Sequence, residues 1–124
     1  MFKWTHVIKN WFEGEQRDFP WRQNRTPYRV WVAEVMLQQT RASVVVPYFL
    51  RWMEVFPDIL ALATAKLEKI LKQWEGLGYY SRARHLHEAA KQIVSEFGGE
   101  IPSSEKELSR LKGIGPYTRA AILS

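Results

Sequence analysis

A chain of 124 residues with 18 Lys and Arg against 13 Asp and Glu, net charge +5, has room for one domain with a modest core and suits an anionic partner such as nucleic acid. Its 46% apolar content sets it apart from disordered chains, and with no cysteine it excludes disulfides, zinc–thiolate sites and cysteine-held iron–sulfur clusters within itself. The N-terminal MFKWTHVIKNW lacks the long apolar run of a signal peptide, and no stretch approaches the roughly 20 apolar residues of a membrane span, so a cytoplasmic protein with no membrane contact is expected.

The first expected element is a short amphipathic helix over His6–Phe12, carrying Val7, Ile8, Trp11 and Phe12 and ended by Gly14. A loop follows in which Phe19-Pro20-Trp21 sits among Arg17, Arg22 and Arg25. Interleaved rings and cations suit nucleic acid, but rings in a connector also plug cores. The stretch TPYRVWVAEVMLQQT predicts a helix over Pro27–Thr40, with Thr26 as N-cap and Pro27 at the first helical position. Val30 to Leu37 is apolar on every face except at Glu34, which predicts a buried helix holding one carboxylate. Desolvation would raise the pKa of that carboxylate. Two readings stand at this point: acid chemistry, or a structural pair with one of the neighbouring arginines.

Ser43–Phe56 reads as a helix with a kink or late start at Pro47, broken by Pro57-Asp58. Thr64 is expected to cap a helix in which Leu67, Ile70, Leu71 and Trp74 share a face, stopped by Gly76. Gly76-Leu77-Gly78-Tyr79 is a loop, and of Tyr79 and Tyr80 the latter is expected to enter the core. A long helix over Tyr80–Phe97 ends at Gly98-Gly99. Ser104 and Glu107 form a capping box for a short helix through Leu111, Lys112–Gly115 turns tightly, and Pro116 starts another helix. No stretch alternates long enough for a confident strand, so the fold class is all-α.

LSRLKGIGPYTRAAILS is the most specific pattern. Helix, Gly113-Ile114-Gly115, helix is a hairpin whose glycines permit a sharp turn and leave N–H groups bare near a helix N-terminus, which suits a DNA phosphate. The last helix is still apolar at Ser124, so the chain is expected to stop inside an element, as an incomplete bundle.

DFPWR, TPYRVWVAEVMLQQT, VVPYFLRWMEVFP, LGYYSRARHLHEAA and LKGIGPYTRAAILS together, in this order, resemble adenine DNA glycosylases of the MutY type, a branch of the helix-hairpin-helix DNA glycosylase superfamily. The resemblance runs from about Trp11 to Ser124. It implies a helical bundle of that superfamily's type, incomplete at the C-terminus, with residues 1–124 as the N-terminal part of a catalytic domain and the helix-hairpin-helix at about 104–124. Its implied activity is hydrolysis of the N-glycosidic bond of adenine mispaired with 8-oxoguanine or guanine in double-stranded DNA.

Residue by residue, the resemblance makes Glu34 the acid that protonates adenine and later assists water. Arg17, Trp21 and Arg22 would line the pocket for the flipped base. Gln39 would fill space in the DNA stack, with Gln38 beside it, and Tyr79 would wedge beside the opposing lesion. Thr40 and Leu77 would make backbone contacts to the oxidised guanine, and Gly113, Ile114, Gly115 and Thr118 would form the DNA-binding hairpin. Bifunctional relatives place a lysine nucleophile where this chain has Tyr117, so a monofunctional hydrolase is implied. Tyrosine there also resembles thymine-mismatch glycosylases, whose counterpart of Gln38-Gln39 is basic, so the glutamines argue for adenine.

The family's aspartate beyond the hairpin, its four cysteines for a four-iron iron–sulfur cluster and its C-terminal 8-oxoguanine-reading domain have no counterpart here. The expectation is a fragment, bound weakly to nucleoid DNA in the cytoplasm, with little activity unless a C-terminal polypeptide completes it. A thymine or uracil mismatch glycosylase and a non-enzymatic DNA-binding helical module are the alternatives.

Overall fold

The computed structural model describes residues 19–38 and 40–124. The expected helix over His6–Phe12, Arg17 and Gln39 lie outside the described residues. Seven α-helices and one 3-10 turn make up the described chain, as an all-α reading requires: a turn at Pro20–Arg22, then α1 Pro27–Leu37, α2 Ala42–Val55, α3 Ile59–Thr64, α4 Leu67–Trp74, α5 Ser81–Phe97, α6 Glu105–Leu108 and α7 Pro116–Leu123. Among the described residues no helix is long and apolar enough to cross a membrane.

Thr26 caps α1 as its sequence suggests, its hydroxyl accepting from Arg29 N at 3.1 Å. The helix stops at Leu37, three residues before the expected Thr40, with Gln38 already extended. It has neither a C-cap glycine nor a basic residue in its last turn. A side chain from α5 supplies donors to its carbonyls instead, as described below. Around α1 pack α7, α2, the 3-10 turn and α5. Trp31, Val32, Ala33 and Met36 are thereby almost wholly removed from water.

Three local expectations fail for identifiable reasons. α2 runs from Ala42 straight through Pro47 rather than starting late. Ser43 and Pro47 are both exposed, so the Ser43 carbonyl that Pro47 leaves without a donor can bind water. Thr64 does not cap a helix. It ends α3, donating from its hydroxyl to the Leu60 carbonyl at 2.8 Å. α4, the helix it was expected to cap, follows Lys66 with no side-chain cap, while α3 is capped by Asp58, whose carboxylate accepts from Ala61 N at 2.8 Å, so the pair read as a breaker also starts a helix. Tyr80 does not enter the core but stands 39% exposed at the start of α5, because Leu77 and Trp74 occupy the interior there.

Ser104 makes its half of the expected capping box, accepting from Glu107 N at 3.2 Å, and the Glu107 carboxylate accepts from the Ser104 hydroxyl at 3.2 Å, although α6 ends at Leu108 rather than Leu111. Gly98 closes α5 in the left-handed region, φ 66°.

The centre of the core is a wired cluster of rings. Trp52 Nε1 donates to the Tyr28 hydroxyl at 3.2 Å, and that hydroxyl donates to the Phe56 carbonyl at 2.6 Å. Trp52 meets Trp74 edge-on, with centroids 5.6 Å apart and planes at 76°, and meets Phe56 at 4.8 Å. Burial pushes the Tyr28 phenol well above its ordinary range, so it stays a neutral donor. Through this relay α1 and the α2–α3 junction are held together. Tyr28→Phe should strand a buried indole N–H and a buried carbonyl, lowering stability by about 1–3 kcal/mol in urea unfolding; an unchanged midpoint would show the relay to be energetically idle.

Candidate active site and nucleic-acid face

On α1, residues Val30, Ala33, Glu34 and Leu37 fall at i, i+3, i+4 and i+7, and this stripe forms one wall of a cleft of about 380 Å³. Opposite stand Phe19, Trp21, Arg22 and Arg25 from the first segment, with Thr40, Arg41 and Ala42 at the mouth. The order in which the chain presents these residues explains the shape. Trp21 packs edge-on to Phe49, centroids 5.5 Å apart, and against Phe19 at 4.8 Å, so the Phe-Pro-Trp turn plugs the core and lines the cleft at once. Arg29 fixes that turn, donating to the Pro20 carbonyl at 2.9 Å with its guanidinium 5.1 Å from the Phe49 centroid.

Glu34 is half-buried in this wall. Burial raises its carboxyl pKa above the ordinary 4.5, and the nearby Arg25 charge opposes that rise in part. Among the described residues no salt bridge takes Glu34, so the arginine-pair reading finds no direct contact. Arg25 itself reaches the far end of the fold, donating to Ser124 Oγ at 3.0 Å and the Ala121 carbonyl at 3.4 Å. The cleft therefore offers a proton donor of raised pKa, flat aromatic surface and cationic rims. That inventory suits a planar, weakly basic ring attached to a polyanion.

A second group of residues lies at the end of α1. Gln38 and Tyr79 are exposed, Tyr79 at 65%, and Leu77 is buried behind them. The loop that carries Leu77 and Tyr79 takes unusual backbone angles: Gly76 φ 102°, Gly78 φ 78° and, without a glycine's freedom, Tyr79 φ 51°. It is pinned from several sides. A Cβ on Gly76 would collide with the Tyr48 hydroxyl, which donates to the Glu75 carbonyl at 2.9 Å, and Trp74 Nε1 donates to the Gly78 carbonyl at 2.9 Å. Arg82, unmarked in the sequence, joins this loop to α1. Its Nη1 donates to the Val35 carbonyl at 2.7 Å and the Gln38 carbonyl at 2.6 Å, while its Nη2 makes longer contacts to the Gly78 carbonyl at 3.3 Å and the Leu77 carbonyl at 3.5 Å. Its guanidinium lies between the Trp74 ring at 5.2 Å and the Tyr79 ring at 5.6 Å. Burial pulls its pKa below the ordinary guanidinium value, though arginine remains charged. The missing C-cap on α1 was the only sequence sign that such a donor was needed.

The hairpin packs beside this group. Gly113 sits at φ 77°, and a Cβ there would lie 2.6 Å from His85 Cβ on α5. Its glycine is thus required by packing as well as by the turn. Gly115, at φ −82°, is in ordinary extended backbone at the N-cap of α7, so only one of the two glycines supplies a left-handed turn. Ile114 and Thr118 are buried side chains, leaving their backbone and the exposed Gly113 and Gly115 as what the hairpin can offer a phosphate. Gln38, Arg82, Lys112 and Gly113 together line a cavity of about 40 Å³.

The structure thus brings Trp21, Arg22, Glu34 and Thr40 into one cleft and gathers Gln38, Leu77, Tyr79 and the hairpin beside it. Tyr117 is 82% exposed and is not among the residues lining the cleft. Sequence reading passed over Arg41 and gave no role to Phe19, Arg25 or Arg82. No group of His, Asp or Glu among the described residues could hold a metal ion.

The sequence and the fold have counterparts among known proteins. Residues 32–122 match the sequence model of a family described as HhH-GPD superfamily base excision DNA repair protein. Adenine DNA glycosylase of Rattus norvegicus is 45% identical over 94% of this chain, and that of Buchnera aphidicola subsp. Baizongia pistaciae is 42% identical over 95%. The chain spans 24% and 34% of the length of those two relatives. Among solved structures, a thermostable thymine-DNA glycosylase superposes with a TM-score of 0.81 at 28% identity, covering 95% of this chain and 55% of its own. An endonuclease III–DNA complex shares the fold at a TM-score of 0.74 and 20% identity, covering 98% of this chain and 60% of its own.

Two outcomes follow from this geometry. Gly113→Ala should destabilise by about 1–3 kcal/mol, since it adds both left-handed strain and a collision with α5; thermal unfolding measures it. Glu34 binds its proton more tightly folded than unfolded. Its contribution to stability is therefore full below the unfolded pKa and is lost as pH rises through the raised folded value. Glu34→Gln should unfold at a higher temperature than wild type at pH 7, with the gap closing at acid pH; a gap that widens on acidification contradicts the burial.

Proposed function

This chain belongs to the HhH-GPD superfamily of base excision DNA repair proteins, and on that footing we propose that it carries the acid-bearing part of an adenine DNA glycosylase acting on adenine opposite 8-oxoguanine or guanine in duplex DNA. The observation that carries this reading is Glu34: a half-buried carboxyl of raised pKa on the wall of a cleft faced by Trp21, Arg22 and Arg25. Similarity to the adenine DNA glycosylases supports the choice of base.

A base must leave the duplex for its glycosidic bond to be reached. In the cleft, Trp21 and Phe19 would face the base, and Arg22 and Arg25 would meet the backbone charge. Glu34 gives its proton to the adenine ring. The C1′–N9 bond then breaks with its electron pair leaving on the now neutral base. Glu34, as carboxylate, takes a proton from the water that adds to C1′, which restores the acid. Gln38 and Tyr79 outside the cleft would face the opposing strand, Thr40 at the cleft and the buried Leu77 would contribute backbone contacts to it, and the 104–124 hairpin would hold phosphates. Arg17 and Gln39 keep the roles their sequence context implies. Tyr117 offers no amine, so no Schiff base forms. An iron–sulfur cluster of the family's kind requires thiolates, which this sequence does not contain, and no step here runs through one.

A second reading, removal of thymine or uracil from a mismatch, draws on the likeness to the thymine-DNA glycosylase. Single-turnover cleavage of A·8-oxoguanine against T·G duplexes separates the two, in a protein that contains these residues within a complete glycosylase domain. Adenine release is the expected product, and Glu34→Gln should slow it about 10²-fold or more. Near-normal release by that variant would overturn the assignment of the acid. Binding should weaken steeply with added salt, because phosphate contacts release counterions; an affinity indifferent to salt would remove the hairpin from the interface.

A further inference from the structure

The two segments that meet DNA in the proposed reading, Gln38–Thr40 and Leu77–Tyr79, come from different parts of the chain. Neither is anchored by regular structure: α1 ends at Leu37 in an extended Gln38, and the loop before α5 ends in a left-handed Tyr79. One side chain spans both. The Arg82 guanidinium donates to Val35 and Gln38 carbonyls on one side, at 2.7 and 2.6 Å, approaches Gly78 and Leu77 carbonyls on the other, at 3.3 and 3.5 Å, and lies 5.6 Å from the Tyr79 ring. The planar fork matters, because it presents donors in two directions at a fixed spacing.

We infer that Arg82 is a positioning residue that locks Gln38–Thr40 and Leu77–Tyr79 into a single recognition surface, so that discrimination of the mispair depends on a side chain that is not itself the reader. Its Nη1 and Nη2 donors go to backbone carbonyls, while its buried Nε has no hydrogen-bond partner, and Tyr79 and Gln38 are left exposed. Loss of the guanidinium frees the last carbonyls of α1 and removes the ring's cationic support together. The two segments then move independently, and base reading weakens more than phosphate binding does. A lysine cannot substitute: its ammonium is a point charge that satisfies one side and releases the other.

The dependence on discrimination rests on the functional reading above; the mechanical coupling does not. Two measurements on a protein that contains these residues within a complete glycosylase domain, and on its Arg82→Lys and Arg82→Met variants, separate them. Hydrogen exchange at the Gln38, Thr40 and Leu77 amides should accelerate together in both variants, while amides around Trp52 keep their protection. Acceleration of one segment alone, or of neither, overturns the coupling. General loss of protection in Arg82→Met makes Arg82→Lys the deciding variant; if it too loses protection everywhere, Arg82 is a core residue and the inference fails. Affinity for an A·8-oxoguanine duplex relative to an A·T duplex should fall about tenfold in Arg82→Lys, the scale of one lost base contact. An unchanged ratio overturns the inference. A wild-type chain with no preference between the duplexes counts instead against the functional reading, and the exchange result still decides the coupling.

Discussion

The bare N–H and C=O groups at the ends of a helix need partners, and the fold supplies α1 with them from its own side chains at both ends. Its N-terminal N–H groups find the Thr26 hydroxyl and a proline with no N–H to satisfy. Its C-terminal carbonyls find Arg82. Tyr28, its second residue, ties it to the Phe56 carbonyl and the Trp52 indole. With both ends and one flank fixed, the stripe from Val30 to Leu37 becomes a rigid wall, and the carboxyl it carries is held where water only partly reaches it. Positioning an acid and shifting its proton affinity are here consequences of one act of burial.

The same demand accounts for how the cleft and the Gln38–Tyr79 edge come to be neighbours. The side chain that finishes α1 starts α5, and the loop before α5 must therefore turn within reach of Gln38. Tyr48, Trp74 and Arg82 each take hold of that loop's backbone, which sustains a tyrosine at a positive φ that its own side chain disfavours. Strain is tolerated where several independent contacts over-determine the path.

Much of this was legible in the residues. Thr26-Pro27, the Ser104–Glu107 box and Gly98 announce helix ends by local chemistry, and each is found where its chemistry puts it. Glu34 stood out because it alone is charged among apolar neighbours. What stayed hidden depends on partners distant in sequence. Nothing near Arg82 says that its fork will close a helix more than forty positions earlier, and nothing near Gly113 says that His85 will lie against it. Asp58 was hidden differently, since Pro-Asp both ends one helix and begins the next. Tyr80 shows that an aromatic ring at a helix start goes inward only if the interior has room, and Leu77 and Trp74 had filled it.

The Arg25–Ser124 contact carries a further meaning. It joins residues separated by 99 positions, so it closes a loop that encloses almost every other described element. Loop-closure entropy opposes such contacts most, and contacts of high sequence separation slow folding. The cleft itself is lined by Phe19 to Ala42, which are close in sequence, so it is the exposed tether on Arg25, rather than the cleft's walls, that waits for the two ends of the described chain to meet. Fluctuations that part those ends free the Arg25 side chain at the rim of the cleft before they reach the ring cluster at the centre of the core.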